Sequence, residues 1–285
     1  MIRSMIYTKG QVFFLALLVT LLGACKQEVP GVSERPIVLV SVPPQAYFVE
    51  RLAGDWVDIE VMVPPGSSPA TFEPTINQMQ AVSKARLYVT VGHPNFPFEK
   101  TWLKRLVGDN DLPLVSCTPE GLNSGDPHVW VSPSNALLMT DSIYAALLEL
   151  LPEHSKELEV NRSALVEEIE SLDRELTQAL EPYRGQKFMV YHPAWGHFAD
   201  HYGLVQIPIE EGMKEPSSAS LSRLVKKARE DNIRLVFVQP QFSSESAELV
   251  AREIGGKVVA VDPLERDWAG SLRSMAEQLK EEFEP

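Results

Sequence analysis

Two histidines and one aspartate in this chain close short apolar runs, and a third histidine follows a turn signal. His93 follows Leu87-Tyr88-Val89-Thr90-Val91-Gly92, His192 follows Phe188-Met189-Val190-Tyr191, and Asp262 closes Lys257-Val258-Val259-Ala260-Val261. His128 sits in Asp126-Pro127-His128-Val129-Trp130. The carboxyl ends of strands in an α/β sheet open onto the ligand crevice. Three imidazoles and a carboxylate at such ends are the donor set of a four-coordinate zinc site. Zinc is expected ahead of manganese, because imidazole is softer than the oxygen donors manganese prefers.

Local context sharpens each position. Pro127 fixes its own φ and turns the chain before His128. Pro193 follows His192 and suits the first position of a helix. His197 and His201 are four apart, on one helix face, but Phe198 stands where a zinc-protease motif needs Glu. Both are expected as surface or outer-shell groups. His154, between Glu153 and Ser155, is expected to be solvated. Glu73, Glu210 and Glu211 are carboxylates in expected loops that can hold a ligating imidazole by its other N–H.

Eight strand-like runs must carry these groups: Ile37–Val42, Val57–Val63, Leu87–Val91 and Leu112–Ser116, then Lys187–Tyr191, Leu204–Ile209, Leu235–Gln239 and Lys257–Val261. Helical patterns alternate with them at Gln45–Ala53, Thr75–Ala85, Leu221–Asn232 and Ser244–Ile254. The alternation predicts an α/β fold of two lobes, each a mostly parallel sheet flanked by helices. Between the halves, Pro152–Tyr183 carries Leu158, Leu165, Ile169, Leu172, Leu176 and Leu180 at helical spacing. It reads as one amphipathic helix on the order of 25–30 residues, a stiff strut. The expected organisation is an N-terminal lobe over 36–150, the linking helix over 151–183 and a C-terminal lobe over 184–285, with the metal donors at the strand-end crevices.

The N-terminus is a targeting segment. Arg3 and Lys9 precede the apolar stretch Val12–Leu22, which is too short to span a bilayer. Leu22-Gly23-Ala24-Cys25 resembles a bacterial lipoprotein signal, with residues 1–24 removed, Cys25 lipidated and 25–35 left as a tether. The chain is then extracytoplasmic, held to the membrane by lipid, in the periplasm or at the cell surface. Cys117, the other cysteine, is expected to be buried and inert. The net charge of −13 argues against nucleic acid as a partner.

With these residues in place, the chain resembles the substrate-binding lipoproteins of bacterial zinc and manganese ABC importers, the cluster A-I binding proteins. The matching segments are Val63-Pro64-Pro65-Gly66-Ser67-Ser68-Pro69, Asp126–Pro133, Tyr191–Gly196, Lys214-Glu215-Pro216-Ser217 and Val261-Asp262-Pro263-Leu264. The resemblance implies two α/β lobes joined by a long helix with the metal in the cleft between them, a monomer that captures a divalent metal ion for an ABC permease, and metal ligands at His128, His192 and Asp262. It also implies a histidine directly after Pro69, where this chain has Ala70. His93, in the same expected lobe, is the candidate replacement donor. The Ala70 substitution leaves two other readings: a zinc hydrolase with an open coordination position, or a binder of chelated metal. No general base accompanies the ligands, so a non-enzyme is expected.

Overall fold

The computed structural model describes residues 35–284 apart from 109, 123 and 213. The expected signal peptide, the tether and Cys25 lie outside the described residues.

Two four-stranded, all-parallel sheets carry the fold. The first comprises β1 (Ile37–Val40), β2 (Asp58–Val61), β3 (Leu87–Thr90) and β4 (Leu114–Ser116), in the order β2-β1-β3-β4. The second comprises β5 (Lys187–Val190), β6 (Val205–Pro208), β7 (Leu235–Val238) and β8 (Lys257–Ala260), in the order β6-β5-β7-β8. Central strands are covered on both faces and therefore read as apolar runs; β3 and β7 are buried throughout. Register is set by pairs such as Val38↔Leu87 and Met189↔Val236. In each sheet the chain moves to one side and then returns to the other. A switch point thus forms at the carboxyl ends of β1 and β3, and another at β5 and β7, where ligand crevices open.

The helices are α1 (Pro43–Ala53), α2 (Ile76–Lys84), α3 (Pro97–Val107), α4 (Pro133–Leu150), α5 (Ser155–Leu180), α6 (Gly196–Tyr202), α7 (Ser218–Glu230), α8 (Glu245–Ile254) and α9 (Trp268–Phe283). Proline opens α1, α3 and α4, where its missing N–H costs nothing. Thr75 and Gln78 cap α2 reciprocally: the Gln78 N–H donates to Thr75 Oγ1, and the Thr75 N–H donates to Gln78 Oε1.

The long connection is α5, 26 residues, extended by 3-10 turns at Pro152–His154 and Glu181–Tyr183. Its six periodic apolar residues are all buried, and it packs on α4, α1 and α9. The C-terminal α9 thereby returns to the first half of the chain. There Trp268 donates its indole N–H to Trp130 O (2.6 Å), and Trp130 donates to Pro263 O (2.7 Å). One apolar core runs from the first sheet through α5 and α9 to Phe188 and Phe237 in the second sheet. The described residues from Arg35 onward accordingly form one compact unit.

Candidate metal centre

His192 leaves the carboxyl end of β5 at the second switch point. Its backbone is clamped by the side chain of Gln239, which follows β7. Gln239 Nε2 donates to His192 O (2.7 Å), and the His192 N–H donates to Gln239 Oε1 (3.3 Å). Glu210, just beyond β6, donates its backbone N–H to Tyr191 O (3.0 Å). That fixes its buried carboxylate Oε1 2.8 Å from His192 Nδ1. Phe242 stacks on the imidazole, with centroids 4.7 Å apart.

His128 reaches the same point from the first half of the chain. The Asp126 carboxylate accepts from both the His128 backbone N–H (3.0 Å) and Nδ1 (2.6 Å). The buried Trp130 ring lies edge-on to the imidazole, 5.4 Å between centroids. Burial pulls the His128 pKa below its ordinary value, and the Asp126 carboxylate only partly offsets this. Burial acts to raise the Asp126 carboxyl, but the His128 ring beside it holds it below the usual carboxylate range.

The two imidazoles meet at Nε2, 3.3 Å apart, with their rings nearly perpendicular. Each Nδ1 faces a carboxylate, which accepts only, so each Nδ1 carries the proton. In the neutral rings both Nε2 atoms are then lone pairs turned toward each other, and the contact is held by a proton on one of them or by a cation between them. Zn–N distances of about 2.0–2.1 Å at a tetrahedral angle place two nitrogens roughly 3.3–3.4 Å apart. The pair is preset at that separation, and each ring is held by the carboxylate that metal-bound histidines commonly have.

The other expected donors are not gathered here. Asp262 Oδ1 accepts from Gln241 Nε2 (2.9 Å) and from the Leu264 N–H (2.8 Å). It stands behind Gln241, Pro263 and Leu264, which line the cleft. His93 is engaged elsewhere in this structure. It is buried, Nε2 donates to Ser124 O (3.0 Å), and Nδ1 accepts from the Asn95 N–H (3.1 Å). Nε2 braces the loop before His128 and Nδ1 braces the turn that follows His93, so both nitrogens are occupied in this structure. Among the described residues, no group of three or more His, Cys, Asp or Glu is poised to hold a metal. Ala70 does line the cleft, and its methyl offers no donor.

Among the residues expected further out, His197 supports the pair. His197 Nε2 donates to Asp126 O (3.0 Å), tying α6 to the His128 loop. Gly196 permits that approach: a Cβ there would stand 2.5 Å from Asp126 Oδ2. His201 holds Asp173 of α5 (2.7 Å). His154 stacks flat on Trp56, 4.2 Å between centroids. Cys117 is buried, and burial pushes its thiol up to about 12, as an inert thiol should be. The role of Asp126 was missed in sequence, where it read only as a turn-former. Its spacing two residues before His128 was the available signal.

Comparison with known proteins gives a consistent result. The sequence model of the family "Zinc-uptake complex component A periplasmic" matches residues 38–282. A solved structure described as a crystal structure of ZnuA superposes with a TM-score of 0.82 at 38% identity, covering 87% of this chain and 98% of the other. A zinc-bound ZnuA deletion mutant gives 0.81 at 38% identity, covering 88% of this chain and 98% of that one. The high-affinity zinc uptake system protein ZnuA of Bacillus subtilis (strain 168) is 26% identical, over 89% of this chain and 88% of its own length.

Proposed function

The chain belongs to the periplasmic zinc-uptake complex component A family, and from that premise we propose that it captures a zinc ion in its interlobe cleft and passes it to an ABC permease. The observation that carries this is the pair of facing Nε2 atoms of His128 and His192, set at the nitrogen separation of a tetrahedral zinc site. Asp262 supplies a third donor once its Gln241 hydrogen bond gives way. Manganese binds more weakly, because two imidazoles favour the softer ion. Zinc is cargo here, and the protein is not an enzyme.

We read Cys25 as the lipid attachment point of a monomeric receptor. The anchor raises the receptor's effective concentration near the permease. Among the described residues no helix is long and apolar enough to cross a membrane.

Titration of the metal-free mature protein tests the proposal. One zinc per chain is expected, with thermal unfolding shifted upward by several degrees. A native-state ligand at a thousandfold excess over Kd stabilises by about 4 kcal/mol. No shift with zinc, or a larger shift with manganese, would overturn it.

A further inference from the structure

We infer that the cleft takes its zinc together with one amino-acid-sized chelator, whose nitrogen or oxygen donor fills the coordination position that the protein leaves. This rests on the zinc-capture reading and adds what accompanies the ion. On the zinc-capture reading His128 and His192, joined by Asp262 once Gln241 releases it, bring three donors, and zinc takes about four. Water could fill the last position, but the space in front of the pair is of another order. The cleft cavity has a volume of about 770 Å³. One water occupies roughly 30 Å³, and small-molecule sites run from about 300 to 1,000 Å³.

The lining also suits an organic body. Pro69, Ala70, Phe96, Trp130, Phe242 and Leu264 supply apolar wall. Gln241 and Asn95 are among the polar groups; their amide nitrogens donate to Asp262 and Gly125 O, and their amide oxygens can accept from the ammonium end of an amino acid. A bare ion gains nothing from such walls, whereas a chelator with a ring or aliphatic side chain buries apolar area against them. Ala70 is the wall residue at which the protein could carry a donor of its own. Its methyl keeps that part of the cavity open.

The probe is L-histidine. Zinc binding to the metal-free mature protein is measured at matched free-zinc concentrations, with and without L-histidine, and native mass spectrometry reads the composition. The expected result is apparent affinity tighter by about tenfold or more with L-histidine, and an adduct of one protein, one zinc and one histidine. In Ala70→His the new side chain occupies the cavity, and the histidine-dependent gain disappears. Identical curves with and without L-histidine, and a zinc-only adduct, would overturn the inference while leaving zinc capture intact. A gain of equal size in Ala70→His would overturn the placement of the chelator beside residue 70. Binding of neither zinc nor zinc with histidine would overturn the capture reading itself.

Discussion

At His128 and His192 the deciding quantity is which nitrogen carries the proton. Asp126 and Glu210 hold it on Nδ1, so Nε2 is the nitrogen each ring offers to the proposed zinc ion. His128→Ala and His192→Ala should each lower zinc affinity by about 100-fold or more in competition titrations. Asp126→Asn and Glu210→Gln keep an acceptor but lose the charge, and should cost about 10–100-fold. His93→Ala should leave zinc affinity at the wild-type level. It should lower unfolding stability by roughly 1–3 kcal/mol, since Ser124 O and the Asn95 N–H lose their buried partner. Zinc affinity should fall with pH as protons compete for Nε2. Because burial lowers the His128 pKa, the fall should begin at a lower pH than the ordinary value of about 6.5 would give. Stability should fall in the same direction, because the unfolded chain takes up that proton first. The meeting of His128 and His192 was legible, because a turn and a strand end announce them. The fate of His93 was not, since a histidine at a strand end looks the same whether it faces a cleft or braces a loop.

Among the elements, all eight strands stand where the apolar runs placed them. Each is shorter than its run by one to three residues, because residues such as Val63 and Val91 stay buried after the ladder has ended. The linking helix followed from its leucine spacing. Its stripe should carry much of the stability: Leu172→Ala, at a fully buried site, should cost about 2–5 kcal/mol by denaturant unfolding. Zinc affinity should change little. The unread elements were α3, α4 and α9. Pro97 opens α3, but a proline so soon after a strand end looks the same in a loop. The α4 segment has apolar residues on most of its circumference, so periodicity is faint; its helix start, Pro133 after Ser132, was the better signal. Nothing local shows that α9 returns to pack on α5.

For the whole molecule, the shared core and the Trp130–Trp268 exchange join the halves by more than the strut. Small-angle scattering on apo and zinc-loaded protein should therefore show little change in radius of gyration, with loop adjustment around Gln241 and Asp262 in place of wide closure. A large compaction would contradict this. The two imidazoles come from opposite halves, so a zinc ion held between them also bridges the molecule. Anomalous diffraction at the zinc edge from crystals of the loaded protein tests this most directly. One peak is predicted, within about 2.0–2.1 Å of Nε2 of both His128 and His192. A zinc ion bound elsewhere, or bound by only one of the two rings, would contradict it.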